Sequence, residues 1–484
     1  MSNYDVIIIG AGVIGGFVAR HLKKTELSVA ILEKNTDVCT EVTRANSAIV
    51  HSGINGKPGS LKARLTAGAN ANFHNVCDEL NVEFRRCGSL MVATCDMGMS
   101  KIHQKLKQGF DYGVKGLTIL NHEETVKLEP NLNQAVKGAL FSPSTGIVNP
   151  WELGIAAIEN AMDNGARLFL NEKVTAIKKQ KNSNDFAYNI QATSGVFRAK
   201  LVVNCAGLYA DEISDMVCGK YFTIIPNRGE YLVLDTYANS FVKHVIFTEK
   251  KNTGEKGIVI APTVQGNIIV GPTTMDVSSK ESFATTTEGL KSIVSSAAET
   301  VQNLPTSLVI RSFAGLRPNP VRVREGIAKS EHSALPDNVK DFIVEEAEYN
   351  FVNVAGIKTP GLTCADELGK YVADMIIEKF PNTLPNLAFN PKRRTFERFA
   401  NASESKQAML IRENNKYGEI ICRCRSITEA EIIDAIYRNT GATTIEGVKR
   451  RAGTCLGRCQ GSYCGVKIAA ILSRELGNAR NYGG

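Results

Sequence analysis

No stretch of this chain approaches the ~20 consecutive apolar residues that a bilayer-crossing helix needs. The apolar run from Val6 to Val18 is broken by Gly10, Gly12, Gly15 and Gly16. The start, Met1-Ser2-Asn3-Tyr4-Asp5, lacks the basic segment and small-residue cleavage site of a secretory signal. A soluble, cytoplasmic protein is therefore expected, with at most peripheral membrane association. Internal repeats and low-complexity tracts are also missing. At 43% hydrophobic and 22% charged residues, the composition excludes wholesale disorder and collagen-like repeats. Across 484 residues, two to four domains are expected at roughly 100–200 residues each.

A surplus of charge is missing from most of the chain. From Pro391 to Gly484 there are 17 Lys/Arg against 9 Asp/Glu, which accounts for the whole excess of +8. A basic tail invites a nucleic-acid reading. No aromatic-and-basic platform accompanies it, so no nucleic-acid partner is expected. Cysteine is plentiful, at 12 residues. Cys39, Cys77, Cys87, Cys95, Cys205, Cys218 and Cys364 are scattered, whereas Cys422, Cys424, Cys455, Cys459 and Cys464 crowd the tail. In a long intracellular chain that crowding favours metal binding or catalysis over disulfides.

Tyr4 to Gly10 reads as a buried parallel strand, Gly12 to Lys24 as a helix, and Ser28 to Leu32 as a second strand ending at Glu33. Gly10-Ala11-Gly12-Val13-Ile14-Gly15 joins the first two and fits G-x-G-x-x-G. Its glycines let backbone N–H groups approach a pyrophosphate at a helix N-terminus, and Glu33 is placed to accept from ribose hydroxyls. Asn204-Cys205-Ala206-Gly207 ends another strand at the same crevice, and Gly356 to Thr363 precedes a helix from Cys364. An N-terminal fingerprint with closing pieces so far downstream suits FAD. Leu61 to Leu80 and Trp151 to Asn164 read as helices, and Phe222 to about Leu316 as a mostly antiparallel sheet. Glu41 to Pro58 reads as a polar loop, and 384–417 as a linker or covering strap.

These residues resemble a family. Asn46-Ser47-Ala48-Ile49-Val50-His51-Ser52-Gly53-Ile54 and Lys57 to Ala63 look like the flavin-facing loop of FAD-dependent 2-hydroxyacid and glycerol 3-phosphate oxidoreductases. Arg228-Gly229-Glu230-Tyr231, Val270 to Thr273, Ala314 to Pro318 and Gly356 to Leu362 continue the match, which covers about Met1 to Ile377. It is most similar to type 2 glycerol-3-phosphate oxidases, then to L-2-hydroxyglutarate oxidases. The resemblance implies an α/β fold of glycine oxidase/D-amino-acid-oxidase type, with a Rossmann-like FAD-binding domain and an antiparallel-sheet substrate domain. Residues 1–383 would form it, with FAD-binding parts at about 1–90, 145–220 and 340–383 and substrate parts at about 91–144 and 221–339.

By the same resemblance His51 is the general base, since neutral imidazole accepts a proton near pH 7. Arg317 clamps the substrate's phosphate or carboxylate, helped by Lys256, Thr359 and Ser47. FAD contacts are expected at Ile14, Glu33, Val42, Thr43, Ser47, Ala48, Ile49, Val174, Ile357 and Lys358, besides Gly10, Gly12, Gly15, Ala206 and Gly207. Ala48 stands where many relatives have glycine.

In the tail, Cys422-Arg423-Cys424 and Cys459-Gln460-Gly461-Ser462-Tyr463-Cys464 give C-x-C and C-x4-C. Zinc sites more often show C-x2-C knuckles, and four unevenly spaced thiolates suit a [2Fe-2S] cluster. The segment resembles the bacterioferritin-associated ferredoxin-like domain, expected at 418–484 and mostly helical. Cys422, Cys424, Cys459 and Cys464 are the expected ligands. Cys455 departs from the pattern; pairing with Cys464 in place of Cys459 is open, and a bystander is expected. Arg423, Arg425, Arg450, Arg451 and Arg458 either offset the cluster's negative charge or dock an acidic partner, and the sequence does not separate the two. The expected activity is an FAD-dependent oxidation of sn-glycerol 3-phosphate, with electrons leaving through the cluster to an acceptor protein or subunit. The alternatives are an L-2-hydroxyacid dehydrogenase, a subunit of an amine or opine dehydrogenase, and a redox sensor.

Overall fold

The computed structural model describes residues 2–180, 186–249, 256–322 and 341–477, apart from the side chains of Glu249 and Lys256. It divides into two units, Met1–Phe389 and Asn390–Gly484. Among the described residues no helix is long and apolar enough to cross a membrane.

In the first unit, β1 (Ser2–Ile9), α1 (Val13–Leu22) and β2 (Val29–Leu32) form the expected β-α-β unit. β1 pairs in parallel with β2 on one side and with Gly195–Asn204 on the other. Among the described residues the sheet has eight strands, with Arg167–Phe169 beyond β2 and Phe351–Ala355 beside Gly195–Asn204. Strand side chains alternate between faces, yet Val6, Ile7, Ile8 and Ile9 are all buried. Both faces of β1 are therefore covered, as parallel sheets require. Val6 and Ile8 pack with Val18 and Leu22 of α1, Ile158 of helix Pro150–Asp163 and Leu368 of helix Ala365–Ile377. Ile7 and Ile9 pack with Leu32, Val202 and Phe351 on the opposite face.

Among the described residues the second sheet has nine strands, built around the antiparallel pair Phe222–Leu234 and Val309–Arg322. Register sets Asn227 opposite Arg317, Gly229 opposite Gly315 and Tyr231 opposite Phe313. A period of two then puts these pairs on one face. The sheet reaches beyond the expected segment. Ser89–Ala93, Gly138–Ser142 and Thr118–Asn121 join it, and Ser89–Ala93 runs parallel to Val245–Glu249. The expected polar loop 41–58 contains a short strand, Ile49–Val50, paired with Gly146–Val148. Ile49 and Val50 supply apolar side chains that are buried there.

The second unit is a hairpin, Ile420–Cys422 and Ile427–Thr428, followed by helices Glu429–Tyr437, Ile445–Ala452 and Gly465–Leu476. Ile432, Val448, Ile468 and Leu472 form its core. Thr428 and Glu431 close a capping box at the first of these helices. The stretch read as a linker or strap holds a helix, Glu404–Glu413. Its part beyond Phe389 belongs to this unit, where Arg398 donates to the carbonyls of Arg451 and Ala452.

Candidate active site and cysteine centre

A cavity of about 530 Å³ runs from the β1–α1 turn to the second sheet. At its nucleotide end the chain leaves β1 at Gly10, whose φ of +107° suits glycine. A Cβ there would stand 2.6 Å from the Cys205 carbonyl oxygen, and one at Gly15 would stand 2.1 Å from the Gly10 carbonyl oxygen. Only hydrogen at these positions lets helix and strand close to this distance. The N-terminus of α1 carries no side-chain cap at Gly12; Thr43 Oγ1 accepts from the Val13 amide at 3.1 Å. Glu33, buried at the end of β2, accepts from the amides of Ala11 and Asn35, both at 2.9 Å. Burial raises its carboxyl above the usual range, and those two amides oppose the rise.

Gly10, Gly12, Ile14, Glu33, Val42, Thr43, Ser47, Ile49, Val174, Ala206, Gly207, Ile357 and Lys358 all line this cavity. Gly15 and Ala48 do not. Gly15 faces the strand side, where it permits close packing. Ala48 is buried at φ +59°, a left-handed conformation that costs an L-residue roughly 1–2 kcal/mol. It shapes the loop through its backbone, its amide accepted by Asn46 Oδ1 at 2.8 Å. Ala48→Gly is expected to stabilise the first unit by about 0.5–1 kcal/mol, after the greater unfolded-state freedom of glycine is counted. Urea unfolding of the two proteins, followed through the first unit's transition, checks this.

At the other end His51, Arg317 and Thr359 share the cavity with Tyr231. The His51 amide donates to Thr363 Oγ1 at 2.9 Å, and its carbonyl accepts from Asn70 Nδ2 at 3.1 Å. Its ring stacks on Phe247, with centroids 5.9 Å apart and planes at 29°. Arg317 donates from Nη1 to Asn227 Oδ1 at 2.6 Å and from Nη2 to the Thr273 carbonyl at 3.3 Å. Asn227 in turn donates to Asp276 Oδ1 at 2.7 Å, which orients its amide oxygen toward the guanidinium. Tyr231 is buried and stacked on Phe313 at 4.8 Å. Burial pushes its phenol up, opposed by the Arg317 charge and hydrogen bond. Lys358 Nζ donates to Asn319 Oδ1 at 2.6 Å. Lys256 opens a strand, but its side chain lies outside the described residues.

Several supporting residues were missed from sequence. Asn70, Asn227, Tyr231 and Phe247 come from three segments, helix Leu61–Glu79 and strands Phe222–Leu234 and Val245–Glu249. Trp151 donates from its indole to the Arg44 carbonyl at 2.7 Å and pins the Val42–Asn46 turn. Asn204 and Asn353 face each other across parallel strands, fully buried and hydrogen-bonded at 2.7 Å. A polar residue inside the apolar run Phe351-Val352-Asn353-Val354-Ala355 was the available signal.

In the second unit the cysteines approach in pairs. Cys424 and Cys459 Sγ are 3.6 Å apart, and so are Cys455 and Cys464 Sγ. Cys422 interacts with Cys464. Among the described residues, no three or more His, Cys, Asp or Glu side chains converge on a single-ion site. Cys424 with Cys459, and Cys464 with either Cys422 or Cys455, would give each of two irons two thiolates. Cys455, the expected bystander, is buried beside Cys464. Burial pushes the thiols of Cys422 and Cys464 up to about 11, so charge from bound iron is needed to ionise them near neutrality. Burial also acts to raise Cys459, but the amides of Gly461 and Tyr463 help bring it below its ordinary value. A Cβ at Gly457 would stand 2.3 Å from Cys424 Cβ, so only glycine lets the loop wrap this close.

The glycine cradle at the α1 terminus and the long cavity fit FAD, and the paired thiols fit a [2Fe-2S] cluster. Comparison with known proteins agrees. Residues 5–375 match the family described as FAD dependent oxidoreductase, and 420–474 match the BFD-like [2Fe-2S] binding domain. The chain is 44% identical to a glycerol 3-phosphate dehydrogenase of Caloramator mitchellensis, over 98% of this chain and 95% of that protein. It is 26% identical to human mitochondrial L-2-hydroxyglutarate dehydrogenase, over 78% of this chain and 90% of that one. The solved structure of FAD-bound L-alpha-glycerophosphate oxidase from Mycoplasma pneumoniae is similar, with a TM-score of 0.73 and 26% identity, covering 82% of this chain and 100% of that one. The α/β architecture and both cofactors expected from sequence therefore hold, and the chain belongs to the FAD dependent oxidoreductase family, with a BFD-like [2Fe-2S] binding domain following it.

Proposed function

We propose that this protein is an sn-glycerol 3-phosphate dehydrogenase that yields dihydroxyacetone phosphate. The observation that carries the reading is the similarity to a glycerol 3-phosphate dehydrogenase along nearly the whole of both chains. When bound, FAD supplies the hydride acceptor and the [2Fe-2S] cluster a one-electron exit toward an acceptor protein. The chain's own residues do the rest. His51 takes the hydroxyl proton, its ring held by Phe247 and its backbone by Thr363 and Asn70. Arg317 holds the phosphate from a position set by Asn227, with Ser47, Thr359 and Lys256 as helpers. Tyr231, stacked on Phe313, adds a hydrogen bond to the guanidinium. The FAD contacts are those the sequence suggests, with Gly15 and Ala48 acting through packing and backbone shape. Cys422, Cys424, Cys459 and Cys464 ligate the cluster, in a domain assigned to 418–484. Among the described residues no cysteine is disulfide-bonded, which suits a cytoplasmic protein.

Arg317→Met leaves the phosphate without its planar partner. The expected loss is about 2–3 kcal/mol, or about 30- to 150-fold in kcat/KM, carried mainly by KM. Steady-state kinetics with glycerol 3-phosphate checks the split.

The second reading is oxidation of an L-2-hydroxyacid. The likeness to L-2-hydroxyglutarate dehydrogenase favours it, and one guanidinium serves carboxylate and phosphate alike. Anaerobic mixing with sn-glycerol 3-phosphate, and separately with L-2-hydroxyglutarate, decides. Bleaching of the flavin's visible absorbance by the phosphate alone supports the proposal. Bleaching by the hydroxyacid alone overturns it in favour of the second reading. With neither compound bleaching it, the amine or opine subunit reading takes over.

A further inference from the structure

The five arginines around the tail cysteines fall into different environments. Arg450 and Arg451 are buried, at 5% and 1% exposure. Arg451 donates to the carbonyls of Gly447 and Thr440, so it is committed to the fold. Arg423 and Arg458 are exposed, and Arg425 is half-buried. The cysteines divide in the same way. Cys422, Cys455 and Cys464 are buried, Cys424 is exposed and Cys459 half-buried.

Around the open pair lies a distinct surface. The Arg423 guanidinium sits 4.7 Å from the Tyr463 ring centroid, and Lys467 Nζ sits 5.6 Å from the same ring. Tyr463 is 43% exposed and Val466 78% exposed. Arg458 precedes Cys459 directly. Four carboxylates of this unit are engaged elsewhere. Glu429 and Glu475 pair with Arg474 at 2.7 and 2.8 Å. Asp434 pairs with Arg394 and Arg438, and Glu446 with Lys449. Among the described residues neither Arg423 nor Lys467 pairs with a carboxylate.

We propose that the face formed by Cys424, Cys459, Arg423, Arg458, Tyr463 and Lys467 is the docking surface for an acidic electron-acceptor protein. It rests on the cluster reading above and goes beyond it, because burial now separates the two roles the arginines had in sequence. Arg450 and Arg451 act from within the fold, where they can offset thiolate charge. Arg423 and Lys467 are left for an encounter, and Arg458 is exposed beside Cys459. Electrons must leave over the open edge, since transfer rates fall steeply with distance. A ring of cations there attracts and orients a negatively charged partner. Arginine and tyrosine are also the residues that most often anchor interfaces. An anionic membrane fits less well. Ile468, Ile471 and Leu472 of helix Gly465–Leu476 are spent on its own core, which leaves no apolar stripe to enter lipid.

The test uses the full-length holoenzyme reduced anaerobically with dithionite, the excess being removed. Dithionite makes it independent of the alcohol substrate. The probes are native cytochrome c, which is basic, and succinylated cytochrome c, which carries the same haem on an acidic surface. At low ionic strength the acidic form is expected to be reduced at least about tenfold faster, an advantage that fades with added salt. Sedimentation at the haem wavelength, without turnover, should show the acidic form alone bound. Arg423→Glu/Arg458→Glu/Lys467→Glu should reverse both preferences while keeping the cluster's visible spectrum. If that variant loses the spectrum, Arg423→Gln/Lys467→Gln serves, with the preference reduced. Equal rates with both cytochromes, or a preference untouched by the substitutions, overturn the proposal. So does salt-sensitive co-sedimentation with phosphatidylglycerol vesicles in the absence of cytochrome binding, which would mark a membrane surface. Absence of cluster absorbance before any cytochrome is added sinks the cluster reading and this surface together. Failure of glycerol 3-phosphate to bleach the flavin sinks only the substrate reading.

Discussion

His51→Gln is expected to slow anaerobic bleaching of the flavin by glycerol 3-phosphate by about 10²- to 10⁴-fold, the usual contribution of a positioned general base. Glutamine keeps much of the side chain's size, so Phe247 retains a neighbour. The backbone contacts of position 51, to Thr363 and Asn70, do not depend on the side chain. The loop should therefore keep its course. What disappears is a group able to take the hydroxyl proton, which the alcohol must lose as its C–H hydride departs. Arg317 and its Asn227 support are untouched, so substrate still binds. The loss should fall on kcat with KM little changed. Stopped-flow reduction across a range of substrate concentrations separates the two quantities. Bleaching within a factor of about three of the unaltered protein would show that His51 is not the base.

Cys459→Ser is expected to divide the protein's activity in two. Flavin bleaching by substrate should persist, because the first unit holds that chemistry. Electron delivery to cytochrome c should fall to background, and the cluster's visible absorbance should vanish. Ligand loss also unravels structure, since metal binding and folding are coupled in small cysteine-ligated domains. The loop 453–464 has few apolar side chains of its own, so proteolysis should become faster there. Cys455→Ala provides the contrast. Its sulfur lies 3.6 Å from that of Cys464, yet with Cys459 as ligand the cluster spectrum should survive its removal. Loss of the spectrum in Cys455→Ala and retention in Cys459→Ser would exchange their roles.

The two cofactor sites differ in how far they could be read from sequence. The dinucleotide turn was readable in that Gly10, Gly12 and Glu33 line one cavity, because they act within one β-α-β unit and spacing alone brings them together, whereas Gly15 serves packing. The C-x-C and C-x4-C spacings pointed to a cluster, but the approach of Cys424 to Cys459, across 35 residues, and of Cys455 to Cys464 is set by the fold. The supports of the substrate end were not readable. Arg317 was singled out by its neighbours in sequence, but Asn227 and Tyr231 reach it only through the antiparallel register, across 90 residues for Asn227. Asn70 reaches His51 from a helix that reads as ordinary amphipathic sequence. Ala48 was noticed as a departure from glycine, and only its φ of +59° explains why glycine is usual there.

By itself, then, the sequence determined what short-range geometry dictates: a strand–turn–helix that receives a pyrophosphate, thiols spaced for a cluster, and a tail that carries the chain's excess charge. Tertiary structure decided what depends on burial and on long-range register. It chose which arginines are enclosed and which meet a partner, which face of the second sheet presents Arg317, and which side chains hold His51 in place. The physical reason is that spacing along the chain defines direction only over a few residues. Solvent exposure and contacts between distant segments exist only once the core has formed.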